Sequence, residues 1–293
     1  MAIVGMIVVM GAVIGGYIME HGKLGVLVQP AEFIIILGSA LGTVMISTPL
    51  QVLTQVFQSI LKGLKGEHPS KGAYSELLTL LYDLFQIARK EGALALETHI
   101  AEPEKSSVFS KYPSFLKNHH AVHFLSDTVS VILNGVKPME IEALLDIDIE
   151  THHEENGRLS TVLSRVGDTM PGLGIVAAVL GVVIAMQAID GPPEEIGHKV
   201  GAALIGTFLG IFMAYGFLLP LAANVEAIHL SEARYMQCIK EGLLAFAKGI
   251  HPTIAVEFAR RSIFSDVRPS FEEIKNTLRG EKGENSERTE SPK

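Results

Sequence analysis

Tryptophan is absent from the 293 residues, and cysteine occurs once, as Cys238. A single thiol excludes an intrachain disulfide and any thiolate-built metal cluster. Cys238 reads instead as a small packing residue. Without tryptophan, any aromatic belt at a membrane edge must be made of Tyr and Phe. Charge is also scarce. Asp, Glu, Lys and Arg make up 19% of the chain, and long stretches carry none of them. The formal net charge is -8, gathered in the polar segments and the tail. No broad basic face points to nucleic acid.

What fills the gap is apolar. Hydrophobic residues reach 48%, and the mean hydropathy is +0.33. A membrane-crossing helix needs about 20 mostly apolar residues. Four windows qualify: residues 1–19, 33–59, 169–189 and 200–225. One charge at mid-membrane costs about 2.5–3.5 kcal/mol, so charge-free windows of this length are strong signals. The first window lacks the basic start and cleavage site of a signal peptide, and a second span follows at once, so it reads as a retained helix.

The distribution of positive charge predicts the orientation. The hairpin 20–32 carries one cation, Lys23, and the hairpin 190–199 carries one, Lys199. Every other Lys and Arg lies in the middle or C-terminal segments. Both termini and the long middle segment are therefore expected in the cytoplasm, and the two hairpins in the periplasm. The predicted fold class is all-α: an integral membrane protein with four transmembrane helices and a helical cytoplasmic domain. The expected divisions are 1–60 (helices one and two), 61–168 (cytoplasmic), 169–225 (helices three and four), 226–279 (cytoplasmic C-terminal helices) and 280–293, a polar tail expected to be disordered.

Small residues recur at four-residue steps inside the spans. Gly11 and Gly15, Gly38 and Gly42, then Ala177, Gly181 and Ala185, and finally Ala202, Gly206, Gly210 and Ala214 follow this spacing. Such stripes smooth one helix face so that another helix can approach closely. In the middle segment, Leu77, Leu78, Leu81, Leu84, Phe85 and Ala88 recur at three- and four-residue steps and predict an amphipathic helix over 74–100, stopped or kinked at Gly92. The stretch 102–113 reads as a connector, 115–133 as a helix, Asn134-Gly135 as a turn, and 139–153 as a helix started at Pro138.

Enzyme chemistry finds no support. His119, His120 and His123, with His152 and His153, cluster in sequence, but no Cys accompanies them and Asp127 alone would leave a metal site incomplete. His152-His153-Glu154-Glu155 lacks the zinc-protease spacing. No cofactor is implied. Spans three and four offer only hydroxyls, Thr169, Thr207 and Tyr215, where a protein that moves ions needs a titratable group at depth. If this chain conducts protons, the carboxylate must come from a partner helix.

The run from Val166 through Gly167, Asp168, Thr169, Met170, Pro171, Gly172, Leu173 and Gly174 to Ala178 resembles the third span of the MotA family of flagellar stator subunits, within the MotA/TolQ/ExbB proton channel superfamily. The run from Gly206 to Ala222 is similar to its fourth. Ile254-Ala255-Val256-Glu257-Phe258, Arg268-Pro269-Ser270-Phe271, Glu140-Ile141-Glu142-Ala143-Leu144 and Glu150-Thr151-His152 are similar as well, so the resemblance runs from the first span to about Thr277.

The resemblance implies a job in the bacterial inner membrane. Inward proton flow would turn a ring of five MotA-type chains around two single-span MotB-type subunits, whose Asp carries the ion, and the ring would push on the rotor protein FliG. It implies an ion path shaped by Pro171, Ala178, Thr207, Tyr215 and Pro220. Arg89, Lys90 and Glu97 would contact the rotor, and Glu150 would be a further functional acid. Gly206, Gly210 and Ala214 form the packing stripe. Ala178 stands where sodium-type relatives carry Thr. Removing that oxygen favours protons, since hard cations want oxygen ligands. Two alternatives remain at this point: an ExbB/TolQ-type subunit energising outer-membrane transport, and a membrane scaffold that moves no ions.

Overall fold

The computed structural model describes residues 1–66 and 68–277. The tail 280–293, read as disordered, lies outside the described residues. Helices dominate: α1 Ala2–Met19, α2 Pro30–Ser47, α3 Leu50–Lys65, α4 Lys71–Glu91, α5 His119–Leu133, α6 Pro138–Met186, α7 Pro193–Met213, α8 Leu219–Ala247 and α9 Pro252–Arg261, with short helical turns between them. Among the described residues there is no strand. The described residues form two compact units, one from residues 1–66 and 154–229, the other from 68–153 and 230–277.

Among the described residues, four helical stretches are long and apolar enough to cross a membrane: Ala2–Met19, Leu24–Ser47, Pro138–Met186 and Pro193–Ala247. None of the residues of α1 is buried. An apolar helix left this open is stable only where lipid or protein takes the place of water. The sequence suggested one run over 33–59. The structure instead ends α2 at Ser47, extends the backbone through Thr48 and Pro49, and starts α3 at Leu50. Proline explains the break, because it disfavours helical geometry in the residue before it. The α3 helix is amphipathic and closes on Gly66 in the left-handed conformation, φ +69°, which glycine adopts without a Cβ penalty. Gly63 on α3 meets α8, where Asn224 Nδ2 donates to the Gly63 carbonyl at 2.9 Å.

The α6 helix runs for 49 residues with Pro171 inside it. Sequence periodicity had divided this region into two helices; residues 154–168 contain no proline, and the backbone ladder continues through them. Between α7 and α8 the backbone widens into a π turn, Ala214–Leu218, where the Leu219 N–H donates to the Ala214 carbonyl. Pro220 comes two residues after the turn, behind Leu219. Its ring has no N–H and would clash with the carbonyl four residues back, and a π turn is a recurring way to absorb that conflict.

The second unit is a globule of helices around its own core. Leu77, Leu78, Leu81, Leu84 and Phe85 of α4 are fully buried, with Leu125 from α5, Ile141 and Leu145 from α6, Ile239 and Leu243 from α8, and Ala255 and Ala259 from α9. Each fully buried Leu or Phe contributes about 1.5–3 kcal/mol. Phe85 and Phe246 stack with ring centroids 4.6 Å apart. The connector 102–113 is a chain of short helical turns that buries Val108 and Phe109 rather than an open loop.

The Arg268-Pro269-Ser270-Phe271 motif has a structural task here. Arg268 donates twice to the Ile263 carbonyl, at 2.8 and 2.6 Å. Ser270 and Glu273 exchange bonds: Glu273 N–H to Ser270 Oγ at 3.1 Å, and Ser270 N–H to Glu273 Oε2 at 2.7 Å. This is a capping box. Lys71 donates to the other Glu273 oxygen at 2.8 Å. That hydrogen bond holds the Glu273 carboxyl well below the usual range, at about 2.

Candidate functional site

Two sets of residues came from the sequence, and they lie in different units. The first set sits on α6, α7 and the π turn. The seam between α6 and α7 is glycine on glycine. A Cβ added to Gly174 would lie 2.8 Å from the Gly206 carbonyl oxygen and 3.1 Å from the Gly210 Cα. One added to Gly210 would lie 2.5 Å from the Met170 carbonyl oxygen. Two turns further along α6, a Cβ on Gly181 would come within 2.7 Å of Ala203 Cβ. Ala203, buried, faces this seam, whereas Ala202 at the stripe's first expected position is only partly buried. Gly206, Gly210 and Ala214 are all buried. By contrast, a Cβ at Gly11, Gly15, Gly38 or Gly42 would meet nothing within 4 Å.

Pro171 and Ala178 are partly buried, as is Thr207. Pro171 and Ala178 lie seven residues apart on α6 and so share a face. The backbone nitrogen of Ala178 lies 3.3 Å from where a Cβ on Gly206 would stand, which brings Ala178 to the Gly206–Thr207 step. Tyr215, in the π turn, is 66% exposed, and Pro220 is exposed. Thr169 spends its hydroxyl on the Val166 carbonyl at 2.9 Å. It also lines a cleft of about 250 Å³ with Thr43, Ser47, Thr48, Arg165 and Asp168.

Sequence reasoning missed one residue here. It assigned Glu32 to the edge of the hairpin 20–32. The structure places Glu32 in the first turn of α2, behind Pro30, only 6% exposed. Its Oε2 atom lies 2.6 Å from the position a Cβ on Gly206 would take. That oxygen has no hydrogen-bond partner. A signal was present: Glu32, Ile36 and Ala40 follow at four-residue steps after a proline suited to a helix start, so Glu32 belongs to the helix's inward face.

The second set lies at the end of α4. Arg89 and Lys90 are exposed in its last turn. Gly92 then turns the chain with φ +93° and ψ 155°, a region open in practice to glycine alone. Glu97 is exposed at the start of the next short helix, Glu97–Ala101. Arg89 borders a cleft of about 300 Å³ lined by Phe85, Phe246, Ile250 and His251. Glu150 is exposed on α6, two turns beyond Glu142 and one beyond Asp146, which face Lys248 at 3.7 Å and the buried Lys240 at 2.5 Å.

The histidines do not converge as ligands would. His120 and His152 stack with ring centroids 4.0 Å apart. Among the described residues no group of three His, Cys, Asp or Glu side chains could hold a metal ion.

Four membrane-length helices, two of which approach through backbone-to-backbone glycine contact, define a multi-pass α-helical membrane protein. Family comparison narrows the class. Residues 3–92 match the model for the motility protein A N-terminal region, and residues 116–237 match the MotA/TolQ/ExbB proton channel family. The chain is 39% identical to Motility protein A of Salmonella typhimurium over 98% of both chains. It is 36% identical to Chemotaxis protein LafT of Vibrio parahaemolyticus, over 95% of this chain and 98% of that one. In fold it resembles the C. jejuni MotAB structure, with a TM-score of 0.77 at 22% identity, covering 92% of this chain and 98% of that one. The chain belongs to the motility protein A family.

Proposed function

We propose that this chain is the ion-conducting subunit of a flagellar motor stator, which with a MotB-type single-span partner couples inward proton flow to rotation of the rotor. The observation that carries the reading is the near-full-length likeness to Motility protein A of Salmonella typhimurium. The glycine seam between α6 and α7 supports it physically, because two spans in backbone contact form a thin, smooth wall for a partner helix. The match over residues 3–92 includes the first two spans, which favours a stator over the outer-membrane energisers.

In this reading Pro171, Ala178, Thr207, Tyr215 and Pro220 border the ion path, and the partner supplies an Asp. Five chains surround two partner helices. The segments 61–168 and 226–293 and both termini lie in the cytoplasm, a placement supported by the confinement of all Lys and Arg but Lys23 and Lys199 to those two segments. Arg89, Lys90 and Glu97 meet FliG, with Glu150 as an additional acid. Exposed charges suit fast, reversible, salt-sensitive contact. Each proton crossing releases about 2.3 kcal/mol per 100 mV, enough for small steps between equivalent ring positions.

The test is a strain lacking this gene, complemented with the wild type, Pro171→Leu or Arg89→Glu. The reading requires a null strain that builds flagella but cannot rotate them, and variants that reach the membrane without restoring motion. A null strain that swims normally overturns it.

A further inference from the structure

Glu32 is a carboxylate where none is needed for packing. Its neighbours along the inward face of α2, Ile36 and Ala40, are buried among Ala177, Leu209 and Ala214. An apolar side chain at position 32 would continue that contact. Instead a carboxyl group is 94% withdrawn from solvent, and its Oε2 accepts from nothing. Room for it exists only because Gly206 has no side chain, since a Cβ there would sit 2.6 Å from Oε2. The same spot lies 3.1 Å from Ala177 Cβ and 3.3 Å from the Ala178 nitrogen. Three helices, α2, α6 and α7, thus meet at one unsatisfied acceptor, beside the Gly206–Thr207 step and Ala178.

An ionisable side chain withdrawn from water within a membrane span is costly, and such residues mark ion and proton pathways. We propose that Glu32 is a second proton-binding carboxylate of the channel, carried by this chain itself. The proposal rests on the reading of the chain as an ion-conducting subunit. The chemistry favours a proton over a metal cation. Sodium needs several oxygen ligands, whereas Ala177, Ala178 and Gly206 add no side-chain oxygen to the site. The step is a proton relay: the carboxylate takes a proton from a hydronium ion arriving by the hairpin side, so that one hydronium O–H bond breaks, the carboxyl O–H bond forms and neutral water is left. Glu32 then passes that proton to the next acceptor, a water or the partner's carboxylate, and returns to its anionic form.

The test uses the full chain with its single-span partner in a strain lacking its own stators. Four quantities are read: complex recovered from membranes, swimming speed, cytoplasmic acidification from an intracellular pH reporter, and the infrared carboxylic-acid band of the purified complex. Glu32→Gln keeps the side chain's size and one acceptor oxygen but cannot bind or release a proton. It is expected to assemble at wild-type levels, to lose the infrared band, and to lower proton uptake and speed about tenfold or more. Glu32→Asp is expected to recover at least half of both. Glu32→Gln complexes that conduct and turn like wild type would overturn the proposal, as would equal loss of assembly in both variants, which marks a packing role. A wild-type complex that acidifies nothing would instead sink the underlying channel reading.

Discussion

Gly210 and Met170 lie so close that a Cβ on the glycine would stand 2.5 Å from the Met170 carbonyl oxygen, and 2.9 Å from the Gly174 Cα. Both obstacles are backbone, so neither can swing aside. Gly210→Ala is therefore expected to push α6 and α7 apart and to cost about 1–3 kcal/mol, against the small gain in helix propensity that Ala brings elsewhere. Gly42→Ala is the control, because a Cβ there meets nothing within 4 Å. Thermal unfolding of the detergent-purified chain should show a lower midpoint for Gly210→Ala and an unchanged or higher one for Gly42→Ala.

Gly92 separates Arg89 from Glu97 and holds a backbone geometry that side chains resist. Replacing it with Ala is expected to cost about 1–3 kcal/mol and to re-aim the two charges. Swimming speed should fall more than the amount of protein in the membrane does. An Ala variant that swims like wild type would show that the turn has no part in rotor contact.

Because Arg89 is exposed at the end of α4, reversing its charge should leave the fold intact. Arg89→Glu is expected to change the unfolding midpoint little, with an effect within about 0.5 kcal/mol typical of surface positions, while abolishing rotation. Immunoblots of membranes together with tethered-cell rotation assays separate the two effects. Loss of the protein from the membrane would assign Arg89 a structural role instead.

Glu257 is clasped by Arg260 at 2.7 and 2.8 Å and by Arg261 at 2.8 Å. The hydrogen bond from Arg260, ahead of that from Arg261, lowers its carboxyl below the ordinary 4.5, against an opposing effect of burial. A depressed folded value means that the folded state binds the proton more weakly than the unfolded chain does. The stabilisation is thus complete above about pH 4.5 and is lost as pH falls through the lower folded value. The pair is expected to make the second unit more acid-labile. Glu257→Gln should be less stable at pH 7 and show a smaller further loss on acidification, as read by circular dichroism of the purified chain.

The apolar spans were legible in the sequence because hydropathy is local: a run of about 20 uncharged residues has few other uses. The same holds for α4, whose stripe of Leu77, Leu81, Leu84 and Phe85 reports a buried face directly. Signals of chain direction were partly legible. Pro49 could have announced the end of α2 at Ser47, and Pro220 a disturbance of the fourth span, but a π turn as the remedy is a matter of backbone packing. The single α6 helix was hidden, because polar residues between 154 and 168 break the hydropathy pattern without breaking the helix.

What the sequence determined by itself was the class: an all-α membrane chain, its charges confined to particular segments, with a family resemblance spread over nearly its whole length. Only the tertiary structure decided which small residues touch. Gly174, Gly206 and Gly210 meet backbone to backbone, Ala203 rather than Ala202 joins the seam, and a Cβ at Gly38 or Gly42 would meet nothing within 4 Å. It also decided that Glu32 is withdrawn from solvent against Gly206. The physical reason is the same in each case. A glycine stripe or a carboxylate reads alike on every face of a helix, and its meaning depends on which other helix stands opposite, a pairing that no local pattern encodes.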